Sequence, residues 1–185
     1  MKNPLKKKIF YGWWMVAAAF GLQFMQASLL SQSIGAYIAV LREEFGWSKT
    51  ALSGAAVIQQ LEGALLGPIQ GWFVDRFGPR GMICVGVVIF GTGFMLLSQV
   101  DSLPAFYGAF ALVALGSGLC GYFPLTISMV NWFERKRARA LSSMTLGFAL
   151  GGMAVPLIAW SLQTFGWRAT AFASGILIIV AGLPL

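Results

Sequence analysis

The chain contains no histidine. That removes the commonest general base, the commonest metal ligand and any imidazole proton relay. Cysteine is nearly absent too. Cys84 and Cys120 each lie inside an apolar run, too few for a disulfide framework or a metal set, and both are expected as small buried hydrophobes. Asp and Glu together number 6, and charged residues make up 10% of the 185, against about 25% in a soluble domain. No nucleophile–base pair is visible, so neither enzyme chemistry nor a cofactor is expected. Apolar residues fill the chain instead: 58% are hydrophobic and the mean hydropathy is +0.77. Most of the surface must face something other than water, which points to a lipid bilayer.

The net charge of +7, with pI ≈ 9.9, would suggest nucleic acid on a soluble protein. Here the basic residues are confined to the ends of apolar segments, so membrane topology explains them and no nucleic-acid partner is expected. The stretch Trp132-Phe133-Glu134-Arg135-Lys136-Arg137-Ala138-Arg139 resembles an RNA-binding arm only in isolation. Between two apolar segments it reads as an interfacial anchor on an anionic leaflet. Lys2, Lys6, Lys7 and Lys8 followed by Ala17-Ala18-Ala19 imitate a signal peptide, but the apolar run continues to about Val40. An uncleaved first span is the better reading.

Six apolar stretches are long enough for a hydrocarbon core of about 30 Å: residues 10–40, 48–74, 81–100, 103–133, 138–164 and 167–185. Residues 1–9 form a basic N-terminus. The connections are short, so an all-α bundle of antiparallel neighbours is expected, with no soluble domain. Ten of the 13 lysines and arginines fall on the N-terminal side, and only Arg42, Lys49 and Arg168 on the other. This bias places both termini in the cytoplasm of a multi-pass protein of the cell (plasma or inner) membrane. Two turns on the outer side share a chemistry, Phe45-Gly46-Trp47-Ser48 and Phe165-Gly166-Trp167-Arg168. Glycine ends one helix, tryptophan sits at headgroup level, and Ser48 caps the next helix.

A few polar residues interrupt the spans. Glu62 is the one acidic residue deep in a span, and at helical spacing it shares a face with Gln59 and Gln70. It reads either as a proton or substrate group or as a neutral acid bonded to a neighbouring helix. Gly63, Gly67 and Gly71 form a ridge that would permit close helix approach. Gln23, Gln26, Leu30, Ser33 and Tyr37 mark a candidate cavity face on the first span, with interhelical hydrogen bonding as the alternative. In the fourth span, glycines precede Pro124 and loosen the helix. Tyr122 and Thr126, four apart, would then reach a substrate, unless the proline marks only a packing kink.

The most legible stretch is Gly71-x-x-x-Asp75-Arg76-x-Gly78-x-Arg80, after the second span. It resembles the signature of the major facilitator superfamily, and with the helix count it implies the N-terminal six-helix half of that fold. A narrower likeness rests on Tyr11-Gly12-Trp13-Trp14, on Asp75-Arg76-Phe77-Gly78-Pro79-Arg80 and on the Trp132–Leu141 stretch. These are similar to the monocarboxylate and oxalate/formate branch. The resemblance implies secondary transport of a small organic anion, with a coupled proton or by exchange. It also implies that Gly71, Asp75, Arg76, Gly78 and Arg80 form a gate whose partner lies in a second half.

Two departures stand out. The first span has no lysine or arginine, and the fifth has Gly147-x-x-x-Gly151-Gly152 with proline only at Pro156. The latter is unlike the Gly-Pro placement of drug–proton antiporters, the alternative substrate class. The stop at Gly182-Leu183-Pro184-Leu185 suggests truncation, so a missing C-terminal half or a second copy is expected as partner. The alternative is a complete six-span assembly or regulatory subunit.

Overall fold

Three glycines adopt a positive φ: Gly46 at 65°, Gly78 at 73° and Gly166 at 81°. Each follows a phenylalanine, and at each a helix ends because no side-chain-bearing residue holds that backbone cheaply. The computed structural model describes residues 11–133 and 136–183, and of residues 11, 49, 53, 55, 56, 61, 62 and 64–66 the backbone alone. Among the described residues the protein is all-α, with no strand.

The first segment comprises α1 (Tyr11–Gln26), a π-helical stretch Ala27–Ser31, and α2 (Ile34–Phe45). It runs past the expected end at residue 40 to the left-handed Gly46. Ser48 then caps the next helix as its sequence predicts, its hydroxyl accepting from the Ala51 amide at 3.1 Å.

Helix α3 (Lys49–Leu97) is folded in two at Gly78, whose φ of 73° and ψ of 161° no helix contains. The expected connection 75–80 therefore contracts to one residue, with helix up to Phe77 and again from Pro79. Proline costs nothing there, because a first-turn N–H has no intrahelical acceptor to lose. The two arms lie side by side. The Tyr107 hydroxyl donates to the Ala51 carbonyl near the start of one arm, while Leu97 at the end of the other shares a core with Phe106.

Next come α4 (Leu103–Cys120), a break at Gly121, and α5 (Tyr122–Trp132). They are followed by α6 (Arg137–Gly151), a 3₁₀ turn Gly152–Ala154, and α7 (Val155–Phe165), with Pro156 in its first turn. Helix α8 (Trp167–Gly182) completes the described chain. Stretches 12–45, 67–97, 103–132 and 137–165 are long and apolar enough to cross a membrane, and α8 is a shorter apolar helix.

One end of the bundle gathers Trp13 against Phe133, and Trp14 with Arg80 and Leu183. The opposite end gathers Glu44, Asp101 and Arg168. These are called below the basic and the clasp ends.

Among the described residues the glycine ridge of Gly63, Gly67 and Gly71 meets no neighbour. A Cβ on any of the three would find no atom within 4 Å. Close approach occurs at other glycines. A Cβ on Gly86 would lie 2.6 Å from the Cys120 nitrogen, one on Gly93 2.8 Å from the Val113 nitrogen, and one on Gly116 2.5 Å from the Phe90 Cα. The second arm of α3 and α4 thus touch backbone to backbone. Lipid tails are as apolar as leucine, so such contact, rather than expulsion from water, holds helices together in a bilayer. Cys120 is buried in this seam, whereas Cys84, expected to be buried, is exposed on the α3 arm.

Candidate functional site

Gly121 decides where the polar groups meet. With its φ of −83° and ψ of −149°, α4 stops before α5 begins. The Gly121 amide turns to the Gly118 carbonyl at 3.4 Å, so the Ser117 carbonyl loses its helical donor. Gln26 supplies one across the bundle, its Nε2 donating to Ser117 O at 3.2 Å. Non-helical backbone in a membrane needs such a partner. The π-helical stretch beside it is held by Ser28 Oγ donating to Met25 O at 3.3 Å and by the Ser33 hydroxyl donating to Ser28 O. Single π turns of this kind occur frequently at functional sites.

The break opens a cavity of about 330 Å³ lined by Gln23, Gln26, Tyr122, Thr145 and Phe148. Two amides from α1, a phenol from the start of α5, and a hydroxyl and a ring from α6 converge there. Each can bond or stack on a polar ligand, and none is charged. Helix α6 reaches α1 because Gly147 packs against the Phe20 carbonyl and Gly151 against Ala27. Gln32 Nε2 adds a bond to Phe148 O at 3.0 Å.

Three of the expected residues, Gln23, Gln26 and Tyr122, are thus brought together. Thr126 is not among the lining residues, and its hydroxyl donates back to Tyr122 O at 2.7 Å. Tyr37 lies buried against Phe94, away from the cavity. Gln59 is half-exposed and Gln70 buried on the first arm of α3, and neither lines the cavity. The Glu62 side chain lies outside the described residues. Sequence reasoning missed Thr145 and Phe148. Their signal was Gly147-x-x-x-Gly151, whose small residues bring α6 against α1.

At the basic end, Asp75 is exposed in the last turn before Gly78 and makes no ion pair among the described residues. Arg76 stacks over the Trp72 ring at 5.8 Å. Arg80 begins the second arm. Glu134 and Arg135 of the expected interfacial anchor lie outside the described residues.

The clasp end ties three turns together. Arg168 Nη1 donates to Glu44 Oε1 at 2.5 Å and Nη2 to Asp101 Oδ1 at 2.6 Å, while the Trp167 indole donates to Glu44 Oε2. The guanidinium lies 4.5 Å from the Trp167 ring centre and 5.7 Å from that of Phe45. Its pKa is raised, first by the Glu44 bond, against a smaller opposing effect of desolvation. Trp167 is buried beneath these turns. The Arg168 pairs are partly exposed, so each contributes under about 1 kcal/mol. Arg168→Gln is therefore expected to lower the melting temperature in detergent by a few degrees at most. Trp167→Ala, which empties a buried aromatic site, should lower it further. Equal losses would show that the charge network rather than the indole holds the turns.

The family model described as the Major Facilitator Superfamily matches residues 9–185. The chain belongs to the Major Facilitator Superfamily. Among the relatives of this facilitator chain is an oxalate:formate antiporter of Oxalobacter formigenes, 32% identical over 150 residues, or 78% of this chain and 35% of the relative. A 4-hydroxybenzoate transporter of Pseudomonas putida is 30% identical, covering 100% of this chain and 40% of that protein. Human monocarboxylate transporter 11 is 25% identical over 95% of this chain and 36% of its own length. The chain spans little more than a third of these relatives. A crystal structure of the peptide transporter POT in complex with alafosfalin has the same fold. It aligns with a TM-score of 0.77 at 18% identity, over 91% of this chain and 37% of that one. The facilitator chain is accordingly an integral, multi-pass membrane protein, similar to oxalate:formate and monocarboxylate transporters.

Proposed function

We propose that this chain is one half of a secondary transporter that moves a small organic anion by alternating access. The observation that carries the proposal is the cavity between α1, α5 and α6. Its walls hold hydrogen-bonding groups from three helices, and a second half would supply the remaining wall. Facilitator halves are related by an axis along the membrane normal, with substrate held between them near the midplane. The missing wall comes from a C-terminal half or a second copy. Relatives named for oxalate and formate, monocarboxylates and 4-hydroxybenzoate support the substrate class. Because this wall is uncharged, the cation that balances the anion belongs to the other half, and Gln23, Gln26, Tyr122 and Thr145 provide direction rather than charge.

In this reading six crossings place both termini on the cytoplasmic side of the cell membrane, where the basic end meets anionic lipid. Asp75, Arg76 and Arg80 close the inner gate against the second half, with Gly71, Gly67 and Gly63 offering the close-approach face. Glu62 carries the coupled proton.

Uptake of labelled small carboxylates by the full-length protein in liposomes tests this. Hydrogen bonds to a charged group contribute about 1.5–3 kcal/mol, so Gln23→Leu should reduce transport kcat/KM roughly 10- to 100-fold. Tyr122→Phe, at an exposed ring where folding is not at stake, should reduce it less and change the order in which carboxylates compete. Unchanged competition in both variants would remove the cavity from the substrate path. Glu62→Gln should abolish the pH dependence of uptake, and a retained pH dependence would assign Glu62 to structure.

A further inference from the structure

Two helix breaks in this unit are mended by the same device. In each, a glycine turns its amide to the carbonyl three residues back, and the carbonyl four back loses its helical donor. Gly121 turns to Gly118 O and leaves Ser117 O, while Gly152 turns to Ala149 O and Leu150 O and leaves Phe148 O. In each, a glutamine of the first segment supplies the missing N–H. Gln26 Nε2 donates to Ser117 O at 3.2 Å, and Gln32 Nε2 to Phe148 O at 3.0 Å. The two glycines also make the room. A Cβ on Gly121 would lie 3.1 Å from Gln26 Nε2, and one on Gly152 would overlap Gln32 Oε1.

Glutamine suits this task because its Nε2 donates as a backbone N–H does and carries no charge to desolvate. Gln26 and Gln32 are separated by the π-helical stretch Ala27–Ser31, and they reach different helices, α4 and α6. Within that stretch the Ser33 hydroxyl already donates to Ser28 O, so the first segment mends its own wide turn and spares both amides. Each mended break stands beside a cavity ring. Tyr122 follows Gly121 directly, and the carbonyl that Gln32 holds belongs to Phe148 itself; both side chains line the first cavity, whereas Gln32 does not.

We propose, on the reading of this cavity as a substrate site, that Gln26 and Gln32 are positioning residues for its aromatic walls. They hold the two breaks against the first segment and so set where the Tyr122 and Phe148 rings stand. Gln32 is the decisive member, since it acts on substrate only through Phe148.

Gly152 offers a clean probe. The nearest atoms its Cβ would meet all belong to the end of the Gln32 side chain, which can swing aside. Gly152→Ala should therefore expel the Gln32 amide without pushing on backbone, and Gln32→Met removes the donor while keeping the length. Hydrogen–deuterium exchange of peptides spanning residues 117–122 and 149–155 is followed on the full-length protein in detergent, without substrate. Gln32→Met and Gly152→Ala should each speed exchange of the second peptide roughly three- to tenfold, the worth of one neutral hydrogen bond. The double variant should exchange no faster than either single one, because both remove the same contact. Gln26→Met should speed exchange of the first peptide only. Uptake of labelled oxalate, formate and 4-hydroxybenzoate into liposomes is then compared. Gln32→Met is expected to raise KM roughly threefold or more with kcat within about twofold, and to reorder competition in the same direction as Phe148→Leu. Unchanged exchange in Gln32→Met, or additive effects in the double variant, would overturn the brace. Faster exchange with KM and competition unmoved would overturn the positioning role and leave Gln32 a purely structural residue. If the unaltered protein takes up none of the three carboxylates, the transport reading of the cavity fails instead, and the exchange data still decide the brace.

Discussion

Gly116→Ala is expected to lower the melting temperature of the detergent-solubilised protein by roughly 3–10 °C, while Gly108→Ala in the same helix leaves it unchanged or slightly raised. The two substitutions add the same methyl group to α4. At Gly108 that methyl meets nothing within 4 Å, so only helix propensity acts, and alanine is the better former by up to about 1 kcal/mol. At Gly116 it would overlap the Phe90 nitrogen and lie 2.5 Å from the Phe90 Cα. These are backbone atoms of the facing helix and cannot rotate away. The arm of α3 must retreat, and it carries the contacts of Gly86 with Cys120 and of Gly93 with Val113 along the same seam. Overpacking of this kind costs about 1–3 kcal/mol, and each kcal/mol corresponds to about 2–4 °C in a chain of this length. Thermal unfolding followed by circular dichroism measures both variants. Indistinguishable melting curves would mean that the two helices do not touch at Gly116.

Asp75→Asn in the full-length transporter is expected to cut the turnover of uptake by an order of magnitude or more, with the affinity for substrate from the outer side almost unchanged. Asp75 lies in the last turn before Gly78, where the helix dipole already presents negative charge. An acid in that place is disfavoured unless something positive answers it, and among the described residues it forms no ion pair. The proposed answer is a cation or a helix N-terminus of the second half, met only when the basic end is shut. Losing it removes a contact made in one conformation and absent from the other, and such a contact alone can shift the balance between the two. Equilibrium binding beside initial-rate uptake separates these effects. Loss of affinity with intact turnover would place Asp75 in the substrate path and end its assignment to the gate.

Much of this architecture was legible because it depends on backbone conformation. Phe-Gly at 45–46 and 165–166 announced two helix ends, and both glycines have the positive φ that only glycine takes easily, as Gly78 does. Ser48 after Gly46 announced the next N-cap. Gln23, Gln26 and Tyr122 could be singled out because amides and phenols are rare in a membrane segment and must find partners. Partner choice was less legible. The periodic ridge of Gly63, Gly67 and Gly71 looked like a packing face, yet among the described residues the close contacts fall at other glycines, Gly86, Gly93, Gly116, Gly147 and Gly151 among them. Tyr37 and Thr126 have the right spacing for the cavity but point elsewhere. A helical period says which residues share a face, not what that face meets.

By itself the sequence determined the solvent, the helical class and the hinge points. An apolar chain with few charges has to satisfy every backbone group internally, which in a bilayer leaves helices, and glycine and proline decide where they stop. Only the tertiary structure decided which glycines are contact points, that Cys84 is exposed, and that the break at Gly121 leaves the Ser117 carbonyl to Gln26. The physical reason is that lipid does not discriminate among apolar faces. The side of a helix that meets protein is chosen by backbone fit with particular neighbours, and that fit exists only once the neighbours are in place.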